Sequence, residues 1–339
     1  MSLEPYPQHA VAAILDAFAR HPLVALGEVH ALQEEADFIA SLLHHPAFPQ
    51  TVNDIVVEVG NALYQDVIDR FIAGEPVPNP ELRPVWRDIV GSPYGLGDAP
   101  IYEQFFRTVR AINRTLPPSQ RLRVLLGDPP LDWKHGQSRK DIEPVLAQRD
   151  THYANVVEQE VLAKGRKALL IAGTLHLLRK PVFGDEQPNL VQIIEGRHPG
   201  AIFIVIPHKG FGSRNAELEP NLHSWSIPAL AALEDTWLGA LSPGLLFGEG
   251  LMSIDSDGHL TPVNPYEGAE SQSLQELGDA YLYVGARASL TVSCPNPAIY
   301  LGDTQYLAEI QRRHVLLWYG KALDTEDLLS EYGPRYFPD

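Results

Sequence analysis

Five short apolar runs, separated by segments with helical spacing, are the feature that most constrains how this chain can fold. Most of these runs are apolar at consecutive positions, so both faces of the strands that they predict must be covered. Such strands, alternating with helices, form a parallel sheet with helices on either side. The runs are residues 23–26, 54–59, 122–126, 168–172 and 201–206. The sequence therefore predicts an α/β protein with a mainly parallel sheet.

The pattern loosens after residue 244, but no linker rich in Gly, Ser and Pro divides the chain. Residues 280–284 predict a further strand and residues 304–318 a terminal helix. Residues 253–273 are polar and rich in turn formers, which favours a long loop that could cover a substrate. We therefore expect one α/β domain over residues 1–339, with a core at about 9–250 that residues 251–325 complete.

Composition and charge narrow the class of protein. The 339 residues are 45% apolar, which suffices for a sizeable core, and their formal charge is −17. This charge repels phosphate backbones and anionic lipids, so we expect a small-molecule substrate, neither nucleic acid nor membrane, and leave the oligomeric state open. The first 25 residues include Glu4 and Asp16 and no signal-peptide core, which predicts a cytoplasmic protein. The lone cysteine, Cys294, excludes an internal disulfide and a cysteine-based metal site.

Ionisable residues stand at or just after the end of each predicted strand. The carboxyl ends of parallel strands share one edge of the sheet, and ligands bind beyond that edge. Glu58 is the strongest candidate, because an ionised carboxylate among apolar neighbours requires a partner or a metal ion. In strand order the residues are Glu28 with His30, Glu58, Asp128, His176 and His208. Taken singly, most have a structural alternative: Glu28 at a helix start, His30 at the surface, Asp128 in a turn and His208 at a strand end.

Two kinds of chemistry suit this set of residues. Neutral imidazoles with carboxylates favour a divalent ion such as Mn, Fe, Co or Zn, which would lower the pKa of a bound water. Alternatively, a carboxylate orients a histidine that deprotonates water without a metal. The sequence contains no Gly-x-Ser-x-Gly elbow, His-Glu-x-x-His helix, Walker loop or Gly-x-Gly-x-x-Gly turn. The acidic pair Glu34 and Glu35 is expected on an exposed part of its helix, and residues 142–163 predict one long polar helix.

Three short motifs resemble those of the erythromycin esterase / ChaN-like / Tiki-TraB superfamily, over about residues 20–210. They are Gly27-Glu28-Val29-His30, Glu58-Val59-Gly60 and Gly173-Thr174-Leu175-His176. In that superfamily, paired Gly-x-x-His motifs and a glutamate on the second strand build the active site. Residues 53–84 and 121–133 are also similar to a group of uncharacterised bacterial proteins.

The resemblance implies several activities. Tiki-like members are metal-dependent proteases, which would make His30, Glu58 and His176 metal ligands. Erythromycin esterases are taken to activate water with a histidine and glutamates, although their motif has one more residue between the positions of Glu28 and His30. ChaN-like lipoproteins bind haem.

The leading hypothesis is a hydrolase that acts on an ester, lactone or amide through Glu28, His30, Glu58, Asp128 and His176. In its metal version His30, Glu58 and His176 hold the ion, and Glu28 is the general base. In its metal-free version His30 is the base, Glu28 or Glu58 orients it, and Asp128 positions a ligand or water. The alternatives are a haem or small-ligand binding protein without turnover, and a biosynthetic lyase or cyclase that uses the same groups.

Overall fold

The computed structural model describes most of the chain. The described residues are 2–90, 95–180, 187–208, 217–244, 252–254, 260–262, 272–317, 320, 322–323, 325 and 335–336. Its strands are β1 (Gln8–His9), β2 (Leu23–Glu28), β3 (Asp54–Asn61), β4 (Arg123–Asp128), β5 (Ala168–Gly173), β6 (Ile202–Pro207), β7 (Ala229–Ala232), β8 (Met252–Ile254), β9 (Leu260–Pro262), β10 (Ala280–Tyr283), β11 (Thr291–Val292) and β12 (Arg335–Tyr336). All five apolar runs and the run at 280–284 are strands, as predicted.

Eight of these strands form one sheet, in the order β1-β7-β10-β6-β2-β5-β3-β4. Neighbouring strands from β10 to β4 run parallel to each other. At the other edge, β7 pairs antiparallel with β10 and β1 pairs antiparallel with β7. The predicted α/β fold with a mainly parallel sheet is thus confirmed, and the strand at residues 280–284 joins the same sheet beside β6.

Helices cover both faces of this sheet. They are α1 (Ala10–Ala17), α2 (Gln33–His44), α3 (Phe48–Thr51), α4 (Gln65–Ala73), α5 (Asn79–Leu82), α6 (Pro84–Arg87), α7 (Pro100–Asn113), α8 (Arg139–Leu146), α9 (Arg149–Val156), α10 (Leu190–Arg197), α11 (Glu219–Leu222), α12 (Leu274–Leu277), α13 (Ala298–Leu301) and α14 (Thr304–Leu317). Val24 and Leu26 pack with α1, α2, α4 and α7, whereas Leu23 and Ala25 pack with α9 and α10. This alternation explains why the strands are apolar on both faces.

The prediction of one helix over residues 142–163 is wrong. The chain leaves helical geometry at Gln148, whose φ and ψ are −102° and 4°, and a new helix, α9, begins at Arg149. A π-helical turn, Val157–Val161, follows α9. The break turns the first residues of α9 toward the end of the sheet, where Arg149 forms the ion pairs described below. The only proline of this segment, Pro144, lies inside α8, four residues before the break, and does not mark its position.

Two sequence-based expectations concern the C-terminal part of the chain. Most of the proposed covering loop, residues 253–273, lies outside the described residues. In this region β8 and β9 pair in antiparallel orientation. The predicted terminal helix is present as α14. Among the described helices, none combines the length and apolar character that crossing a bilayer requires.

Candidate functional site

His30 lies across the ends of three adjacent strands. Glu28 ends β2, Gly173 ends the neighbouring strand β5, and Glu58 lies on β3 at the far side of β5. The Nδ1 atom of His30 is 2.9 Å from Glu28 Oε1, and its Nε2 atom is 4.0 Å from Glu58 Oε2. The topology therefore brings together three side chains that are up to 30 positions apart in the sequence, as the strand-end pattern predicted.

Gly173 gives the imidazole of His30 its space. A Cβ atom at position 173 would lie 2.9 Å from His30 Nε2 and 3.2 Å from Glu58 Oε2, which is closer than such atoms normally approach. The absence of a side chain at the end of β5 thus lets the ring pass over the strand.

Gly173→Ala is therefore expected to displace His30 and to lower any activity that depends on it by at least tenfold. Gly196→Ala is the matched control, because a Cβ at this position in α10 meets nothing within 4 Å. It should leave activity unchanged and, as a helical Gly→Ala change, stabilise the fold by up to about 1 kcal/mol. Thermal unfolding and activity of the two variants check this. Equal activity in both would show that the close approach at Gly173 is unimportant.

The carboxylate of Glu58 is surrounded by donors. The backbone N–H of Gly173 donates to Oε2 at 2.5 Å, and Arg149 Nη2 donates to Oε1 at 2.6 Å. His176 Nε2 is 3.5 Å from the same Oε1. Burial alone would raise the pKa of Glu58, but His176, His30 and Arg149 outweigh it and hold the pKa well below its usual range. Glu58 is therefore ionised and paired, which accounts for a carboxylate within an apolar strand.

Arg149 connects Glu58 to Asp128. Its Nε donates to Asp128 Oδ1 at 3.1 Å, and the backbone N–H of Val90 donates to Asp128 Oδ2 at 2.5 Å. Burial raises the pKa of Asp128 to about 6, although the charge of Arg149 opposes this shift. Asp128 therefore joins the site through Arg149. Its two hydrogen-bond donors are the guanidinium of Arg149 and the backbone N–H of Val90.

His176 is held between two carboxylates. Its Nδ1 atom is 2.8 Å from Asp150 Oδ1, and its Nε2 atom faces Glu58. Burial would lower the pKa of His176, but Glu58 and Asp150 outweigh burial and raise the pKa to about 10. His176 is thus an imidazolium at neutral pH, because both of its neighbours are anions.

This shift predicts how stability depends on pH. A group whose pKa is raised in the folded state stabilises the fold fully below its unfolded pKa, near 6.5, and loses this contribution as pH rises through about 10. We expect the free energy of unfolding to fall between these two pH values, and the fall to be smaller in His176→Gln. Denaturant unfolding at several pH values measures it, with His198→Gln as control because His198 pairs with Glu158 at the surface. An identical slope in His176→Gln and in the unchanged protein would contradict the assignment.

Tyr102 on α7 fixes the other end of the site. Its hydroxyl donates to Glu28 Oε1 at 2.6 Å and accepts from the backbone N–H of Ala31 at 3.2 Å. Ala31 has a φ of 64°, an uncommon conformation for a residue with a side chain, so this bond stabilises the turn after His30.

Burial lowers the pKa of His30, but Glu58 and Glu28 outweigh burial, so the pKa of His30 is raised overall. The His30 side chain is also 39% exposed, which makes it the site imidazole most open to a ligand.

The fit of these residues to a metal ion is poor. Within the described part of the chain, no group of three or more His, Cys, Asp or Glu side chains is arranged to hold one. Both oxygens of Glu58 accept hydrogen bonds, one of them from the cationic guanidinium of Arg149. Arg149 and His176 already place two positive charges beside Oε1, and these charges would repel a metal ion. The arrangement is that of a hydrogen-bonded network of charged groups.

His208 does not join this network. Its side chain is buried, with Nδ1 at 2.6 Å from the hydroxyl of Tyr281 and Nε2 at 3.5 Å from Glu219. Burial lowers its pKa to about 4, so His208 is a neutral core histidine. His208 is therefore a structural residue at the end of β6 and not part of the candidate site.

The sequence reasoning missed Arg149, Asp150, Tyr102 and Glu35. Arg149 and Asp150 lie at the start of α9, which the predicted long helix concealed. Glu35 was expected to be exposed, and that expectation is wrong: it is 1% exposed, and its Oε2 accepts from the backbone N–H of Val29 at 2.9 Å. The sequence contained one sign that such residues could be near the site. The first turn of a helix that follows a strand of a parallel sheet lies near the carboxyl edge of the sheet.

Comparisons with known proteins bear on the fold. No family model matches the chain, and neither does any curated protein. Among solved structures, a succinoglycan biosynthesis protein is 10% identical with a TM-score of 0.54, covering 84% of this chain and 94% of its own. A mutant of erythromycin esterase EreC in its open conformation is 14% identical with a TM-score of 0.49, covering 81% and 93%. ChaN of Campylobacter jejuni, with cofacially bound haem, is 15% identical with a TM-score of 0.35, covering 60% and 86%.

The chain thus has the α/β fold of the succinoglycan biosynthesis protein. At 10% sequence identity, this match shows the fold alone. The erythromycin esterase and ChaN groups, which the sequence motifs resemble, are both represented among these structural matches. A shared fold does not determine activity, which depends on the residues of the chain's own site.

Proposed function

We propose that the protein is a hydrolase that cleaves an ester, lactone or amide with a water molecule activated by His30, without a metal ion. The observation that carries the proposal is the placement of His30. Its Nδ1 atom is held by Glu28 at 2.9 Å, while the ring remains partly exposed. A carboxylate that accepts from Nδ1 leaves Nε2 as the basic nitrogen, which is the arrangement of a general base.

In the proposed mechanism, Nε2 of neutral His30 takes a proton from water while the water oxygen attacks the substrate carbonyl. The Glu28 carboxylate stabilises the imidazolium that forms, and Tyr102 holds Glu28 in place. His30 then gives the proton to the leaving alkoxide or amine as the tetrahedral intermediate collapses. The products are a carboxylic acid and an alcohol or amine, so atoms and charge balance.

The positive charge of His176 would stabilise the developing oxyanion. His176 is an imidazolium at neutral pH and is within reach of Glu58, on the side of the site that His30 Nε2 faces. Fixed positive charge in a poorly solvated site stabilises an oxyanion more strongly than water does. Arg149 uses Nε and Nη2 to hold Asp128 and Glu58, so we assign it to positioning these carboxylates rather than to the substrate.

The test is a panel of activated esters, lactones and amides incubated with the purified protein. The proposal predicts acid formation at a rate proportional to protein concentration. Incubation in ¹⁸O-labelled water separates hydrolysis from a lyase or cyclase reaction, because only hydrolysis places solvent oxygen in the acid product. Failure of every carbonyl substrate in a broad panel would count against the proposal.

Ligand binding without turnover is the second candidate. His30 supports it, since an imidazole that is 39% exposed at a strand edge can also ligate the iron of a haem. Titration with haem distinguishes the two roles. A Soret band that His30→Ala abolishes, together with no hydrolysis in the panel, would favour the binding protein over the hydrolase.

A further inference from the structure

A cavity of about 100 Å³ lies between α2 and α7, on the sheet face opposite α9. Ala36 and Ala40, one helical turn apart on α2, line it and leave space that larger side chains would fill. Asp37 and Gln104, which are exposed, lie at its mouth. The buried residues Val57 and Ile171 lie at its inner end. The walls are mainly hydrocarbon, as in sites that take the apolar part of a small molecule.

The inner end of this cavity carries negative charge. Glu28, Glu35 and Tyr102 all line it. The Glu28 side chain is only 9% exposed, and both hydrogen bonds described for it, from Tyr102 and His30, use Oε1. Within the described part of the chain, Oε2 therefore has the capacity to accept from a ligand. A buried carboxylate with unused acceptor capacity beside apolar walls favours a ligand with a hydrogen-bond donor on a short hydrocarbon chain.

We infer that this cavity binds a short aliphatic primary ammonium, with its chain between α2 and α7 and its nitrogen donating to Glu28. Two carboxylates at the inner end favour a cation and repel a carboxylate ligand. The volume admits about three or four heavy atoms, at ~30 Å³ for each group of the size of water. The ligand would contact the same carboxylate that holds His30, so occupancy of the cavity and the geometry of the candidate site are coupled.

Three probes, each with three carbon atoms, test the inference by ligand-observed NMR on the full chain: n-propylammonium, 1-propanol and propionate. Binding is measured directly, so the result is independent of whether the protein is a hydrolase. We expect weak binding of n-propylammonium, because few atoms make contact, and at least tenfold weaker binding of propionate. Propionate binding as tightly as n-propylammonium, or no binding of n-propylammonium to the folded protein, would overturn the inference.

Variants locate the probe. Ala36→Leu adds three carbon atoms inside the cavity and should weaken n-propylammonium binding at least tenfold. Ala111→Leu adds the same atoms on the exposed side of α7 and should leave binding unchanged. Glu28→Gln should weaken n-propylammonium binding at least tenfold while 1-propanol binding changes less than threefold. If Ala36→Leu does not fold by circular dichroism, Ala40→Leu replaces it. Unchanged binding of n-propylammonium in a folded cavity-filling variant would refute the assignment.

Discussion

Arg149→Met is expected to destabilise the protein by about 3–5 kcal/mol, because it leaves two buried carboxylates without their shared cation. Arg149 donates to Glu58 at 2.6 Å and to Asp128 at 3.1 Å, and both carboxylates are almost fully buried. Methionine retains most of the hydrocarbon volume, so the loss is electrostatic rather than one of packing. The remaining partners of the two carboxylates are backbone amides, His176 and His30, which pair with them only partly.

Denaturant unfolding near pH 7 measures this effect. The destabilisation should shrink as pH falls below about 6, because Asp128, whose pKa is raised to about 6, then takes up a proton and no longer needs a cation. Arg107→Met is the matched control, since Arg107 pairs with Glu103 at the exposed surface of α7 and such pairs contribute little. Equal losses in the two variants would show that Arg149 does not hold the buried carboxylates in place.

His30→Ala is expected to lower the hydrolytic rate by about 10²- to 10⁴-fold, the usual contribution of a general base. The unfolding free energy should change little, because the side chain is partly exposed and its loss leaves Glu28 paired with Tyr102. Since the pKa of His30 is raised above 6.5, the rate in the unchanged protein should increase as pH rises through the pKa of that group. This rising limb should be absent from the residual activity of His30→Ala.

His135→Ala is the control for His30→Ala. His135 also pairs with a carboxylate, Asp132, but its side chain is 87% exposed and lies outside the network. It should retain full activity and the same dependence on pH. A His30→Ala variant with an undiminished rate, or a similar loss in both variants, would remove His30 from the mechanism.

The proximity of Glu28, Glu58 and His176 could be predicted from the sequence because it depends only on topology. Once the five apolar runs are read as parallel strands, Glu28, Glu58 and His176 must meet at one edge, whatever the details of packing. His208 also lies at that edge, directly after β6, but its side chain does not join the network. Tyr281 and the surrounding core accommodate His208 as a neutral, buried residue.

The parts that the sequence did not predict depend on contacts between distant segments. Arg149 acquires its role from a helix break at Gln148 that has no local signal, and Tyr102 from the packing of α7 beside the end of β2. Glu35 lies near the start of α2, where the sequence pattern predicts an exposed surface. The turn at residues 29–31 covers this surface and buries the Glu35 side chain. Such positions follow from how elements pack, which periodicity alone does not specify.

The most direct test of metal-free water activation is the rate of ester hydrolysis by protein treated with a strong chelator and shown to be free of metal. The network of Glu28, His30 and Glu58 predicts the same rate before and after chelation, and no increase when Mn²⁺, Co²⁺, Fe²⁺ or Zn²⁺ is added. A rate that disappears on chelation and returns with one of these ions would contradict it. That result would restore His30, Glu58 and His176 as metal ligands.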